Sequence, residues 1–218
     1  MVQKVIRRDA EATKERILTV GIKDFCENGY SGSRIQNIAH RSDCNIRMIY
    51  HYFGNKEGLY RAALERVYGA IRSSEAKLGL DNLDPVSAIK SLVEFTFDHH
   101  RQNRELVDLV VVENVQRGRY LKGIDSISKE SSELIDKIDS VLKQGEIRGD
   151  FFKGTDAFQL YVSILSLSFF HLSNAHTLSI MYDRDLRDDN WIDSRRDHVV
   201  QMVLAGIGVN RKLVHSMK

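Results

Sequence analysis

The stretch from Ser33 to Leu59, SRIQNIAHRSDCNIRMIYHYFGNKEGL, leaves the fold less freedom than any other part of the chain. Ile35, Ile38 and Ala39 recur at spacings of three and four, so they share one face of a short helix, and Ile46, Ile49 and Phe53 do the same in a second. Between the two runs, Ser42, Asp43, Cys44 and Asn45 have the composition of a tight polar turn. Asn45 is placed to cap the second helix through its side-chain oxygen. Once Ile46, Ile49 and Phe53 turn inward, Arg47, Met48, Tyr50 and His51 are left pointing out. A short helix that shows arginine, tyrosine and histidine from its first turns is what a helix-turn-helix inserts into the major groove. The pattern therefore predicts a chain that reads double-stranded DNA.

Individual roles follow from side-chain chemistry. Arg47 is the candidate for base readout, since a guanidinium can bind guanine O6 and N7 together, worth roughly 1–3 kcal/mol of discrimination. Its alternatives are a phosphate contact or a free surface arginine. Met48 either meets a thymine methyl or faces solvent. Ser33 and Arg34 open the first helix of the motif, where backbone N–H groups and the helix dipole favour a phosphate. Ser33 could equally do no more than cap that helix. Lys4, Arg7 and Arg8 either reach along the duplex or belong to a disordered basic tail.

The rest of the chain reads as helix. A first helix is expected from Ala10 to Asn28, ended by Gly29, with Ile17, Leu18, Gly21, Ile22 and Phe25 buried. A fourth is expected from Lys56 to about Leu78. Further helices are expected over Val86–Arg101, Glu105–Gln116, Ile124–Gln144, Asp156–Thr177 and Ser194–Val209. No alternating strand pattern and no repeat of solenoid length is present. The expected fold class is all-α: an N-terminal three-helix head over 1–58, a linking helix and turn over 59–84, and a C-terminal helical body over 85–218. Phe158–Leu172 and the segment from His198 to Val209 are too apolar for ordinary surface helices. They are buried on two sides, either between two copies of the chain or within one large subunit.

Composition narrows the class further. Two cysteines in 218 residues make no disulfide framework. The charged N-terminus lacks the apolar run of a signal peptide, and the longest apolar segment falls short of the ~20 residues of a membrane span. A cytoplasmic location without membrane attachment is expected. The formal net charge of +2 is uneven, with eleven Lys/Arg against seven Asp/Glu in residues 1–61. With the helix-turn-helix pattern, this basic excess supports phosphate contact. There is no phosphate-binding glycine loop, zinc-type spacing or nucleophile motif, so no enzyme, metal or cofactor is expected.

The segment from Ile17 to Leu64 also resembles the tetracycline-repressor (TetR) family of bacterial transcription regulators. The resemblance is carried by Ile17-Leu18 through Phe25, Gly29-Tyr30, Ser33, Ile38-Ala39, Tyr50-His51-Tyr52-Phe53 and Asn55-Lys56-Glu57. Asp43 stands where the family usually has glycine, and Arg47 where a small residue is common. The resemblance implies backbone or base contacts from Tyr50 and His51, a phosphate contact from Lys56, and a homodimer joined by the last two long helices. It also implies a repressor released from its operator by a small-molecule effector bound in the C-terminal body. Polar residues on apolar stripes there, His100, Asn114, His171 and Asn174 with Phe170, either line that pocket or are buried polar groups satisfied by neighbouring helices. Glu113 and Arg117 read as an ordinary i,i+4 surface pair. Two other readings are an all-α ligand-binding or scaffold protein without a regulatory role, and a redox-sensing regulator acting through Cys44.

Overall fold

The computed structural model describes the backbone of residues 2–209 and the side chains of residues 9–209. Among these residues the chain is all-α, with ten α-helices and no strand. Helix α1 spans Val2–Gly32, with non-helical geometry at Gly29 (φ 66°, ψ 174°). It is followed by α2 (Ile35–Arg41), α3 (Ile46–Phe53) and α4 (Lys56–Ala76). A 3₁₀ turn at Leu80–Asn82 leads to α5 (Pro85–Gln102) and α6 (Arg104–Val115). Then come α7 (Asp125–Arg148), α8 (Ala157–Ser173), α9 (Ala175–Tyr182) and α10 (Asp189–Gly206). No helix among the described residues is long and apolar enough to cross a membrane.

Side-chain caps set several of these boundaries. Asp84 precedes Pro85 and accepts a hydrogen bond from the Ser87 N–H at 3.2 Å, closing the start of α5. Asp156 does the same for Gln159 at 2.7 Å and Asp188 for Trp191 at 2.9 Å. The Asp188 cap is why the last helix starts at Asp189 rather than at Ser194. The single helix expected over Asp156–Thr177 is two helices. Asn174 leaves helical geometry between them, and its Nδ2 donates to the Phe170 carbonyl at 3.1 Å, supplying a partner at the open end of α8.

The chain forms two compact units: residues up to Ala70 together with Asp108–Ile127, and Ile71–Val107 together with Ser128 onward. In the first, α1, α2 and α3 pack on one another, with Ile17, Phe25, Ile38, Ile49, Leu59 and Leu64 fully buried. In the second, α5, α8 and α10 pack mutually around a core that includes Ile89, Leu92, Val93, Phe97, Ile164, Val199 and Leu204. Arg196 of α10 grips Asp98 of α5 with two hydrogen bonds of 2.9 Å.

Glu113 is not a surface residue. Helix α6 ends at Val115 and Arg117 takes a left-handed φ of 59°, so the i,i+4 spacing does not place the two side chains together. Instead Glu113 is buried (1% exposed), and its Oε1 accepts from the Tyr120 N–H at 2.7 Å and the Leu121 N–H at 3.1 Å. Around it stands an aromatic cluster within the first unit: Phe25–Tyr60 at 4.8 Å, Tyr30–Tyr120 at 4.3 Å and Tyr60–Tyr120 at 5.2 Å between ring centres. Such pairs contribute about 0.5–1.5 kcal/mol each beyond their buried area. Burial, and then the charge of Glu113, push the Tyr60 phenol far above its ordinary pKa.

Glu113→Ala would leave two N–H groups without their acceptor, and is expected to lower unfolding stability by about 2–4 kcal/mol. Glu113→Gln keeps an oxygen in place and should lose clearly less; urea denaturation of both variants checks the difference.

Candidate nucleic-acid interface

The turn between α2 and α3 is held from both sides. Ser42 Oγ donates to the Ile38 carbonyl at 2.6 Å, and the Cys44 N–H donates to the Ala39 carbonyl at 3.1 Å. Asp43 adopts a left-handed φ of 48°, the geometry the turn demands at the position where glycine is usual. Asn45 caps α3, accepting from the Arg47 N–H at 2.9 Å, as its place in the sequence predicts. Two contacts distant in sequence fix the motif to α1. Arg16 Nε donates to the Ser42 carbonyl at 2.8 Å, and Arg41 pairs at 2.9 Å with the buried Asp24 and with Glu27. Nothing local marks Arg16 or Arg41 as positioning residues, since their partners lie 26 and 17 residues away.

With Ile49 buried and Ile46 and Phe53 half-buried, α3 exposes Arg47, Tyr50 and His51, and Met48 is half-exposed beside them. Positions 47, 50 and 51 are three and four apart, so they form one face. Arg34 is exposed at the start of α2. Ser33 departs from its expected role. Its hydroxyl is buried among the carbonyls of Gly29 (2.9 Å) and Asp24 (3.1 Å), and α2 has Arg34, without a side-chain cap, at its N-terminus. Ser33 thus closes the α1–α2 corner just beyond the break at Gly29. Lys56 is half-buried, with Nζ 4.6 Å from the centre of the Tyr30 ring, and partial desolvation lowers its pKa. The ring face supplies a partner for a cation that would otherwise only oppose the helix dipole. Behind it, a Cβ at Gly58 would meet the Phe53 carbonyl oxygen, so only glycine lets α4 start this close to α3. The side chains of Lys4, Arg7 and Arg8 lie outside the described residues.

Four of the five effector candidates belong to the second unit, and of these only His100 and His171 are buried in its core. Asn114 lies on the exposed side of α6 in the first unit, its Nδ2 donating to the Val110 carbonyl at 2.8 Å. Phe170 points outward (56% exposed) and Asn174 is occupied at the end of α8. His100 and His171 do sit in one core, that of the second unit. His100 Nδ1 donates to the Thr96 carbonyl at 2.6 Å, and its ring meets Phe169 edge-on. The His171 ring stacks on Phe97 with centres 4.9 Å apart, and neither of its nitrogens has a partner. Thr96 Oγ1 and Ser168 Oγ, also buried, are likewise unpartnered. Burial, then the positive charge of Arg195, lowers the His171 pKa to about 4. Among the described residues, no group of three or more His, Cys, Asp or Glu is placed to hold a metal ion.

Comparison with known proteins agrees with this geometry. Residues 17–63 match the family described as bacterial regulatory proteins, tetR family, and residues 85–203 match the tetracyclin repressor-like C-terminal domain. The chain is 34% identical over 181 residues to the HTH-type transcriptional repressor NicS of Pseudomonas putida, covering 83% of this chain and 85% of that one. It is 32% identical over 111 residues to the HTH-type transcriptional repressor SCO4008 of Streptomyces coelicolor, covering 51% and 54%. Among solved structures, a regulatory protein in the tetR family from Rhodococcus RHA1 superposes with a TM-score of 0.70 at 18% identity. That match covers 91% of this chain and 98% of the other, and shows the shared fold.

A histidine whose folded pKa lies near 4 against an ordinary 6.5 binds its proton in the unfolded chain first. Between those values acid therefore favours unfolding, and His171 should withdraw up to about 3 kcal/mol as pH falls through the window. His99 and His100, also lowered by burial, act in the same direction. His171→Phe keeps a ring on Phe97 and is expected to flatten the stability-versus-pH curve between about pH 6.5 and 4, as urea titrations at several pH values would show.

Proposed function

The chain belongs to the TetR family of bacterial transcription regulators and is a DNA-binding transcription regulator. On that premise we propose that it is a homodimeric repressor, released from a near-palindromic operator when a small molecule binds its C-terminal body. The observation that carries the DNA reading is the single exposed face of Arg47, Tyr50 and His51 on a helix capped, anchored and backed by buried isoleucine. Arg47 reads a base and Met48 lies against the groove floor. Tyr50, His51, Arg34 and Lys56 hold the backbone, Lys56 from beside the Tyr30 ring. Ser33 contributes through the corner it closes. Residues 1–58 serve as the head, 59–84 as the link and 85–218 as the effector and dimerisation body, although Asp108–Ile127 of that body pack within the first compact unit.

Two heads on a twofold axis read two half-sites, which a lone eight-residue helix cannot do. Apolar side chains left in solvent on α8 and α10 support the pairing: Phe158 and Val162 on the first, Met202 on the second. Unpartnered polar atoms in the core of the second unit, those of His171 among them, support a polar small-molecule partner.

Fluorescence anisotropy with DNA flanking the protein's own gene, at several salt concentrations, tests the interface. Arg47→Ala should cost about 1–3 kcal/mol on the cognate site and relax sequence preference. Lys56→Ala should weaken all sequences alike and lower the salt slope by about one. A footprint untouched by either change would refute these roles. Val162→Asp with Met202→Asp should give a folded monomer by light scattering, with operator affinity lost; a dimer that persists would move the interface elsewhere.

A further inference from the structure

The second unit holds a cleft of about 310 Å³ between the last turn of α4 and the middle of α7. At its base Arg72, Glu75 and Tyr161 form a buried triad. Arg72 Nη1 donates to Glu75 Oε2 at 2.6 Å and to the Tyr161 hydroxyl at 2.9 Å, and that hydroxyl donates to Glu75 Oε1 at 2.7 Å. Both carboxylate oxygens are therefore used, and so is one nitrogen of the guanidinium. On the other edge Nε is buried without a partner, in a side chain only 10% exposed whose guanidinium carbon lies 5.6 Å from the centre of the Tyr161 ring. Nε and Nη2 together present the paired N–H geometry that fits the two oxygens of a carboxylate.

The opposite wall carries the reverse charge. Glu130 and Glu133 stand on one face of α7 at i,i+3 spacing, both exposed and both lining the cleft, with Lys137 one turn further. Two like charges so spaced repel weakly, Arg72 attracts Glu130, and Lys137 lies four residues beyond Glu133, so the wall keeps room for one further cation. Leu134 provides an apolar floor between the two ends. A simple anion would suit Arg72, but Glu75 already neutralises that guanidinium. Its negative charge would then face Glu130 and Glu133, with only Lys137 and the already shared charge of Arg72 to offset them. A simple cation would leave the Arg72 edge empty. A molecule that carries both charges satisfies both walls.

We propose that this cleft binds a small zwitterion, with its carboxylate on the Nε–Nη2 edge of Arg72 and its ammonium between Glu130 and Glu133. The volume, at the lower end for small-molecule sites, suits a molecule of amino-acid size. As the effector's binding site this rests on the repressor reading above; as a binding site it does not. The same helix that supplies Arg72 begins at Lys56, so a zwitterion there would act on a helix that also carries a proposed DNA contact.

Calorimetric titration of the full chain without DNA is the test, with glycine, γ-aminobutyrate and ε-aminocaproate as probes, against butyrate and butylamine. At least one amino acid should bind about tenfold more tightly than either single-charge probe. Glu130→Gln with Glu133→Gln changes only exposed side chains, and should remove that advantage while leaving butyrate binding no weaker. The proposal fails if no amino acid outperforms butyrate and butylamine, or if the advantage survives the double substitution. Operator release is then read separately by anisotropy: a zwitterion that binds the cleft yet leaves DNA bound upholds the site and overturns its role as the effector site.

Discussion

Burial of Ile38 and Ile49, both fully shielded, in the core that α1 shares with α2 and α3 governs what the rest of the first unit can offer. Helix α3 has eight residues, too few to be stable alone in water. It exists because its apolar side is held, and the held side dictates that Arg47, Tyr50 and His51 face out. The polar contacts then refine the orientation. The Asn45 cap sets where α3 begins, while Arg16 on the Ser42 carbonyl and Arg41 on Asp24 tie the turn to α1. A surface arginine pair is ordinarily worth little, but the carboxylate here is buried, so removing Arg41 would strand a charge as well as loosen a turn.

Elsewhere the chain buries polar groups that hydrophobic packing alone would not ask for. Glu113 gathers two backbone N–H groups, Arg72 and Glu75 share the Tyr161 hydroxyl, and His171 lies against Phe97 with both nitrogens unpartnered. The first shapes the turn after α6 through Oε1 and leaves Glu113 Oε2 buried without a partner. The other two also leave donors or acceptors over, and both belong to the second unit. Groups of this kind are costly in a purely structural core.

How much of this was legible in the sequence depended on range. The helix-turn-helix was readable because its determinants lie within four residues of one another: the isoleucine spacing, the Asn45 cap and the tolerance of Asp43 for a left-handed turn. The α5 stripe of Ile89, Val93, Phe97 and His100 was readable for the same reason, and all four are buried. Helix α6 was not. Its run Leu106, Val107, Leu109, Val110, Val111, Val112 is apolar on nearly every side, so periodicity could not choose a face. The structure buries Leu106, Val107, Leu109 and Glu113, and leaves Val111 and Asn114 exposed. Turning the helix by one residue exchanged a supposed pocket amide for a buried carboxylate.

The sequence by itself determined the all-α class, the course of most helices and the outward face of α3, because backbone hydrogen bonds, caps and three-to-four spacing are local physics; it ran α8 and α9 together, began α1 eight residues late and began α10 five residues late. Tertiary structure alone decided which polar side chains meet. Arg72 and Tyr161 are 89 residues apart, Arg16 and Ser42 are 26 apart, and Phe97 reaches His171 from another helix. Whether a buried polar atom finds a partner depends on which helix packs opposite. That is set by the whole core, and no window of sequence contains it.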